Sequence, residues 1–143
     1  MLHYVNGDMF QPTYDAIVNT VNCVGVMGKG LALSFKQKYP DNFIAYRQFC
    51  AQHKLKPGNL FIYGTSPIII NLATKDHWRN PSQMKYVIDG ANNLATWLQS
   101  HPQVKTIAVP KLGCGCGGLN WSEVQLVLND ALKNVPQNVY IYG

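Results

Sequence analysis

Apolar and polar residues alternate along this chain with two different periods. Short β-branched runs occur at 2–8 ("LHYVNGD"), 15–22 ("DAIVNTVN"), 60–64 ("LFIYG"), 67–74 ("PIIINLAT"), 104–110 ("VKTIAVP") and 138–143 ("NVYIYG"). Runs of this kind, bounded by turn residues, predict strands. The run at 67–74 is apolar almost throughout, as suits a central strand covered on both faces. Between the strands the period lengthens. Residues 29–39 ("KGLALSFKQKY") carry apolar side chains at 31, 32 and 35 with lysines opposite, and 42–53, 82–101 and 121–135 also read as helices. Pro40-Asp41 predicts the end of the first helix, with Asp41 capping the next, and "KPGN" at 56–59 predicts a turn. Asn120 with Glu123 three residues on predicts a capping box for the last helix. Strands alternating with helices predict an α/β fold: a mostly parallel sheet with helices on both faces.

Composition narrows the class. The 143 residues fit one domain, 47% of them hydrophobic and 13% charged, with no linker, repeat or low-complexity segment. No apolar stretch approaches the roughly 20 residues a membrane helix needs, and "MLHYVNGD" lacks the basic-then-apolar order of a secretory signal. The expectation is a soluble cytoplasmic protein. Cys23, Cys50, Cys114 and Cys116 form no C-x-x-C pair and predict reduced, structural thiols with no metal site. The net charge of +5 favours an anionic partner such as a nucleotide or nucleic acid, but its basic residues are spread along the chain and read equally well as ordinary solvated lysines.

In an open α/β sheet, ligands bind beyond the carboxyl ends of the strands. That rule selects four loops: Asn6 to Phe10, Asn19 to Gly30, Ala73 to Trp78, and Pro110 to Asn120. The unusual residues of the chain gather in these loops. "VGVMGKG" and "VPKLGCGCGGLNW" are glycine-rich, and each runs into a helix. Backbone N–H groups freed of Cβ interference, together with a helix N-terminus, make a binding site for anions, and two such loops facing one cleft suit a diphosphate. Neither loop has the P-loop spacing; Gly113, Gly115 and Gly118 do fall at the G-x-G-x-x-G spacing, but in the wrong half of the chain for a dinucleotide fingerprint. The alternative is a pair of tight turns. Asp8, at the tip of the first strand, could take a hydrogen bond from a base or ribose, or simply close an Asx-turn. Lys75, in "NLATKDHW", stands at the end of a central strand, where desolvation would favour a nucleophilic amine. On the residues alone it reads slightly better as a surface lysine on a loop; Asp76 and His77 could orient it or move protons. Phe10, Trp78, Trp121 and Tyr140 or Tyr142 are candidates to stack on a nucleobase.

Taken together, "NGDMF", "DAIVNTVNCVGVMGKGLALSFKQKYP", "NLATKDHW" and "VPKLGCGCGGLNW", in this order, resemble a macrodomain over nearly the whole chain. The likeness is strongest to the DarG-like branch of ADP-ribosyl glycohydrolases, which acts on DNA. It implies a three-layer α/β/α fold with a mixed, mostly parallel sheet, and a cleft for ADP-ribose with no cofactor. The catalytic residue it implies is Lys75, attacking the anomeric carbon of the distal ribose or its opened aldehyde. Around the ligand it implies Asp8, on the adenine amino group, with Met9, and then Asn19 and Asn22 after the second strand. Gly28, Gly30 and Leu31 would cover one side, with Thr74 beside the lysine. Gly113, Cys114, Gly115, Cys116, Gly117 and Gly118 would wrap the diphosphate and distal ribose, with Pro110 and Leu119 also at the ligand and Tyr142 at the last strand end. A human relative in this branch that acts on protein-linked ADP-ribose carries a catalytic aspartate in the glycine loop, and Gly117 aligns with it here.

The resemblance therefore implies removal of ADP-ribose from a thymidine base of DNA, antagonising a DarT-like ADP-ribosyltransferase toxin. Hydrolysis of protein-linked ADP-ribose or O-acyl-ADP-ribose, and a binding module without turnover, remain as alternatives. Residues 1–143 would be a single macrodomain, complete or the N-terminal domain of a longer antitoxin, and a monomer is the default expectation.

Overall fold

A computed structural model describes all residues, 1–143. Its elements run β1 (Leu2–Val5), β2 (Ala16–Val21), α1 (Gly30–Lys38), α2 (Pro40–Ala51), β3 (Leu60–Tyr63), β4 (Ile68–Ala73), α3 (Met84–Gln99), β5 (Thr106–Val109), α4 (Trp121–Leu132) and β6 (Asn138–Tyr142), with a single 3-10 turn at Gly115–Gly117. The six strands form one sheet in the order β1-β6-β5-β2-β4-β3. Every pairing is parallel except β3 with β4, which is antiparallel at the edge.

Strand periodicity divides the core in two. Ala16 and Val18 of β2, Ile70 and Leu72 of β4, and Ile107 and Val109 of β5 face one side, where they pack on Val87, Ala91, Leu94 and Leu98 of α3 and Val124, Leu128 and Leu132 of α4. The alternate residues Ile17, Ile69 and Ala108 meet Phe35 of α1, and Val21 and Ala73 meet Tyr46 and Cys50 of α2. The result is the expected three-layer arrangement, with α3 and α4 on one face and α1 and α2 on the other.

Several local expectations change. Pro40 does not stop a helix but starts one: Tyr39 is the N-cap of α2, Pro40 occupies its first turn, and Asp41 lies inside that turn without a capping bond. Proline's fixed φ and missing N–H suit the first helical position. At α4, Asn120 caps as expected, its Oδ1 accepting from the Ser122 N–H at 2.9 Å. Glu123 contributes only its backbone N–H, to Asn120 O at 3.2 Å, so no reciprocal capping box forms. Within the apolar run of β4, Asn71 is fully buried. Its amide exchanges hydrogen bonds with Asn42 of α2 (2.9 and 3.3 Å) and accepts from Asn19 Nδ2 of β2 (3.2 Å). This amide cluster ties α2 to the centre of the sheet.

Candidate functional site

Because β2, β4 and β5 are parallel neighbours, their carboxyl ends (Val21, Ala73 and Val109) open onto the same edge of the sheet. A cleft of about 1040 Å³ lies there, lined by residues from all four of the loops named above. It is at the upper end of the size usual for ligand sites, roomy enough for a dinucleotide-sized molecule.

The two glycine segments face each other across it. A Cβ added to Gly30 would come within 3.9 Å of Cys116 Sγ. On the first side, α1 begins at Gly30 with no side chain capping it, so its first N–H groups have no partner of their own. On the second side, turn bonds run from Gly117 N to Cys114 O, Gly118 N to Gly115 O and Leu119 N to Gly113 O. They fold the loop while leaving the Gly115 and Cys116 N–H groups without an acceptor in the protein. Gly115 has φ +64° and open space where a Cβ would be. Two sets of unpaired donors around one cleft are a cradle for a polyanion. Lys29, Lys75 and Lys111 also line it, against Asp8 as its acid.

Lys75 follows β4 directly. It is half-buried rather than engulfed, and its Nζ donates to Trp78 O at 3.4 Å. The surrounding turn is held by His77, whose Nδ1 accepts from Arg79 N at 3.1 Å. Asp76 is exposed, and its carbonyl accepts from Cys23 N. Cys23 and Cys114 are poorly suited to compete as nucleophiles. Burial, with Asp76 and Cys50 nearby, pushes the Cys23 thiol up to about 12. Burial also raises that of Cys114, against the pull of Lys111.

The cleft wall includes Lys75, Asp8, Met9, Asn22, Gly28, Gly30, Leu31, Thr74, Pro110, Gly113, Cys114, Gly115, Cys116, Gly117 and Tyr142. Three expected ligand residues are not on it. Asn19 is fully buried in β2, bonded to Asn71 and Met27. Gly118 supplies the left-handed turn that ends the 3-10 segment, and Leu119 packs against the main core. Others have structural work besides. Asn22 Oδ1 accepts from Val24 N, Val26 N and Tyr46 OH, which organises the loop before α1. Asp8 does close an Asx-turn, accepting from Phe10 N at 2.9 Å, while still facing the cleft. Of the aromatic candidates, Phe10, Trp78 and Tyr142 line the cleft; Trp121 packs on the core.

Ser82, which precedes α3 and reads in the sequence only as part of a helical run, was missed. It is 5% exposed, lines the cleft wall under the glycine loop, and its Oγ has no hydrogen-bond partner. Its N–H donates to Gly117 O at 3.0 Å. A lone serine carries no periodic signal that could have marked it.

Comparison with known proteins gives a consistent picture. The Macro domain family model matches residues 18–128. A Thermus aquaticus protein named DNA ADP-ribosyl glycohydrolase is 44% identical over 138 residues, covering 93% of this chain and 38% of its own length. The solved macrodomain of Mycobacterium tuberculosis DarG superposes with a TM-score of 0.94 at 40% identity, over 99% of this chain and 97% of that one. Thermosipho africanus DarTG in complex with ADP-ribose superposes with a TM-score of 0.91 at 32% identity, over 99% of this chain and 41% of that one. The chain thus spans about two fifths of the length of the curated relatives it matches.

Proposed function

The chain belongs to the Macro domain family, and on that premise we propose that it is an ADP-ribosyl glycohydrolase removing ADP-ribose from thymidine in DNA. The observation that carries this reading is the placement of Lys75. A primary amine stands on the wall of the same cleft that two opposed glycine segments line with unpaired N–H groups. A pocket that only held ADP-ribose would gain little from an amine there. The glycine segments seat the diphosphate, Asp8 meets the adenine end, and the distal ribose comes to lie against Lys75.

In the reaction, Nζ of Lys75 bonds to the anomeric carbon as the bond from that carbon to the base breaks. The proton shed by the amine balances the proton taken up by the departing base. The ribosylamine so formed opens to the imine between that carbon and Nζ, and water adds to the carbon and releases the amine, freeing ADP-ribose. The preformed cradle stabilises the charge of the diphosphate and holds the carbon in line with the amine, the positioning role that fixed dipoles serve in catalysis. The DNA substrate is supported by the names of the relatives that share two fifths or more of their identity with this chain over nearly all of it. The cations of the cleft and of the segment after β4 are also compatible with it. In this reading the protein acts in the cytoplasm against a DarT-like toxin that attaches the group, and no helix of the chain is long and apolar enough to cross a membrane.

The test is release of ADP-ribose from thymidine-ADP-ribosylated single-stranded DNA. The native chain is expected to release it, and Lys75→Ala to lose turnover while binding ADP-ribose within about tenfold of native, or about 1.4 kcal/mol. Undiminished release by Lys75→Ala would sink the mechanism. No release by the native chain, with ADP-ribose still binding, would leave a reader or a hydrolase for another linkage.

A further inference from the structure

Trp78 is conspicuous for what it does not do. Trp97 and Trp121 pack against the main core, whereas Trp78 joins none of the three apolar clusters and is 46% exposed. It nevertheless lines the cleft, on the wall that carries Lys75. Its position is fixed: the turn around it is closed by Arg79 N on His77 Nδ1 (3.1 Å) and Asn80 N on His77 O (3.0 Å), and its own carbonyl accepts from Lys75 Nζ (3.4 Å). Arg79 places its guanidinium over one face of the indole, 4.7 Å from the ring centre, and the His77 ring lies 5.2 Å away at a tilt, so a stacking base would have to take the other face. That cation is in neither of the molecule's two ion pairs, Lys85–Asp89 and Lys133–Asp130. A half-bare indole with an unpaired guanidinium beside it, at the mouth of a cation-lined cleft, has the makeup of a single-strand binding groove, where an aromatic face takes a base and a cation takes the backbone.

We propose that Trp78 and Arg79 form a platform for single-stranded DNA next to the reacting carbon. The inference rests on the hydrolase reading above. If the anomeric carbon sits at Lys75, the modified base and the strand that bears it leave the cleft past Trp78. The indole stacks on a nucleobase of that strand, and Arg79 meets a flanking phosphate. Substrate choice between DNA and protein would then be made at this rim, outside the ADP-ribose cradle.

The experiment compares the whole native chain with Trp78→Ala and Trp78→Phe. Fluorescence anisotropy reads binding of an unmodified thymidine-containing single-stranded oligonucleotide, and calorimetry reads binding of free ADP-ribose. The expected result is an oligonucleotide affinity that falls roughly tenfold more than the ADP-ribose affinity in Trp78→Ala, consistent with the loss of one stacked base. Trp78→Phe should recover most of it. Equal losses for the two ligands, or no strand binding by the native chain, would overturn the platform. So would a larger Trp78→Ala defect on an ADP-ribosylated peptide than on an ADP-ribosylated oligonucleotide. Strand binding needs no turnover, so the two claims fail separately. An inactive native chain that still binds DNA through Trp78 tells against the hydrolase reading alone. An active chain whose strand affinity ignores Trp78 tells against the platform alone.

Discussion

At Gly117 the chain has room for a hydrogen and nothing larger, since a Cβ there would come within 3.0 Å of Ser82 Cβ and closer still to its Oγ. The glycine therefore answers to packing, not to backbone conformation. An acid at this position would need Ser82 to move. Gly115, two residues earlier, is the opposite case: its φ of +64° is one that side chains rarely adopt, and the space beside it is empty cleft. Placing a glutamate there strains the turn and projects a carboxylate into the space assigned to the diphosphate. Gly115→Glu is expected to weaken ADP-ribose binding by more than about a hundredfold, or about 2.7 kcal/mol, with the fold retained by circular dichroism. Calorimetry showing native affinity would refute the placement of the loop. From sequence alone the two glycines are indistinguishable, because what separates them is Ser82, 35 positions away along the chain and in contact only through the fold.

At the scale of elements, the strands and helices were legible because each run carries a clear period and is closed by turn residues. Their ends were less so. Pro40 reads as a stop in one helix and proves to be a start in the next, since a proline signals a boundary without saying on which side the helix lies. The amide cluster could not be seen at all. Asn19, Asn42 and Asn71 belong to three different elements, and each looks like an isolated polar residue until the sheet and α2 bring them together. Asn19 illustrates the cost of that blindness, since it resembles a ligand residue and turns out to be a buried strut. Asn42→Leu should leave the Asn71 amide with lost partners in a buried setting, destabilising the protein by about 1–3 kcal/mol. Urea unfolding checks this: a lower midpoint with an unchanged slope is expected, and an unchanged midpoint would remove the cluster from the account of stability.

For the whole molecule, parallel topology does the organising. It sets the ends of β2, β4 and β5 side by side, so that segments far apart in the chain (the loop before α1, the turn after β4 and the glycine loop after β5) become three walls of one cleft. That convergence was legible in advance from the rule that ligands sit beyond the strand ends, and most of the expected residues do line the wall. What sequence could not supply was the wall's depth. Lys75 was open to two readings, a partly desolvated amine or a surface lysine, and it lies between them, half-buried and tethered to the carbonyl of Trp78. The role proposed for Lys75 therefore rests on its being held against the ligand, an effect of proximity and orientation. Covalent trapping tests this most directly: the native chain is mixed with thymidine-ADP-ribosylated single-stranded DNA and a mild imine-selective reductant, then mapped by mass spectrometry. A single ADP-ribose adduct on Lys75, formed during turnover and absent when the cleft is blocked by Gly115→Glu, is the predicted result. Turnover at the full rate with no adduct on Lys75, or with adducts scattered evenly over the surface lysines, would contradict it.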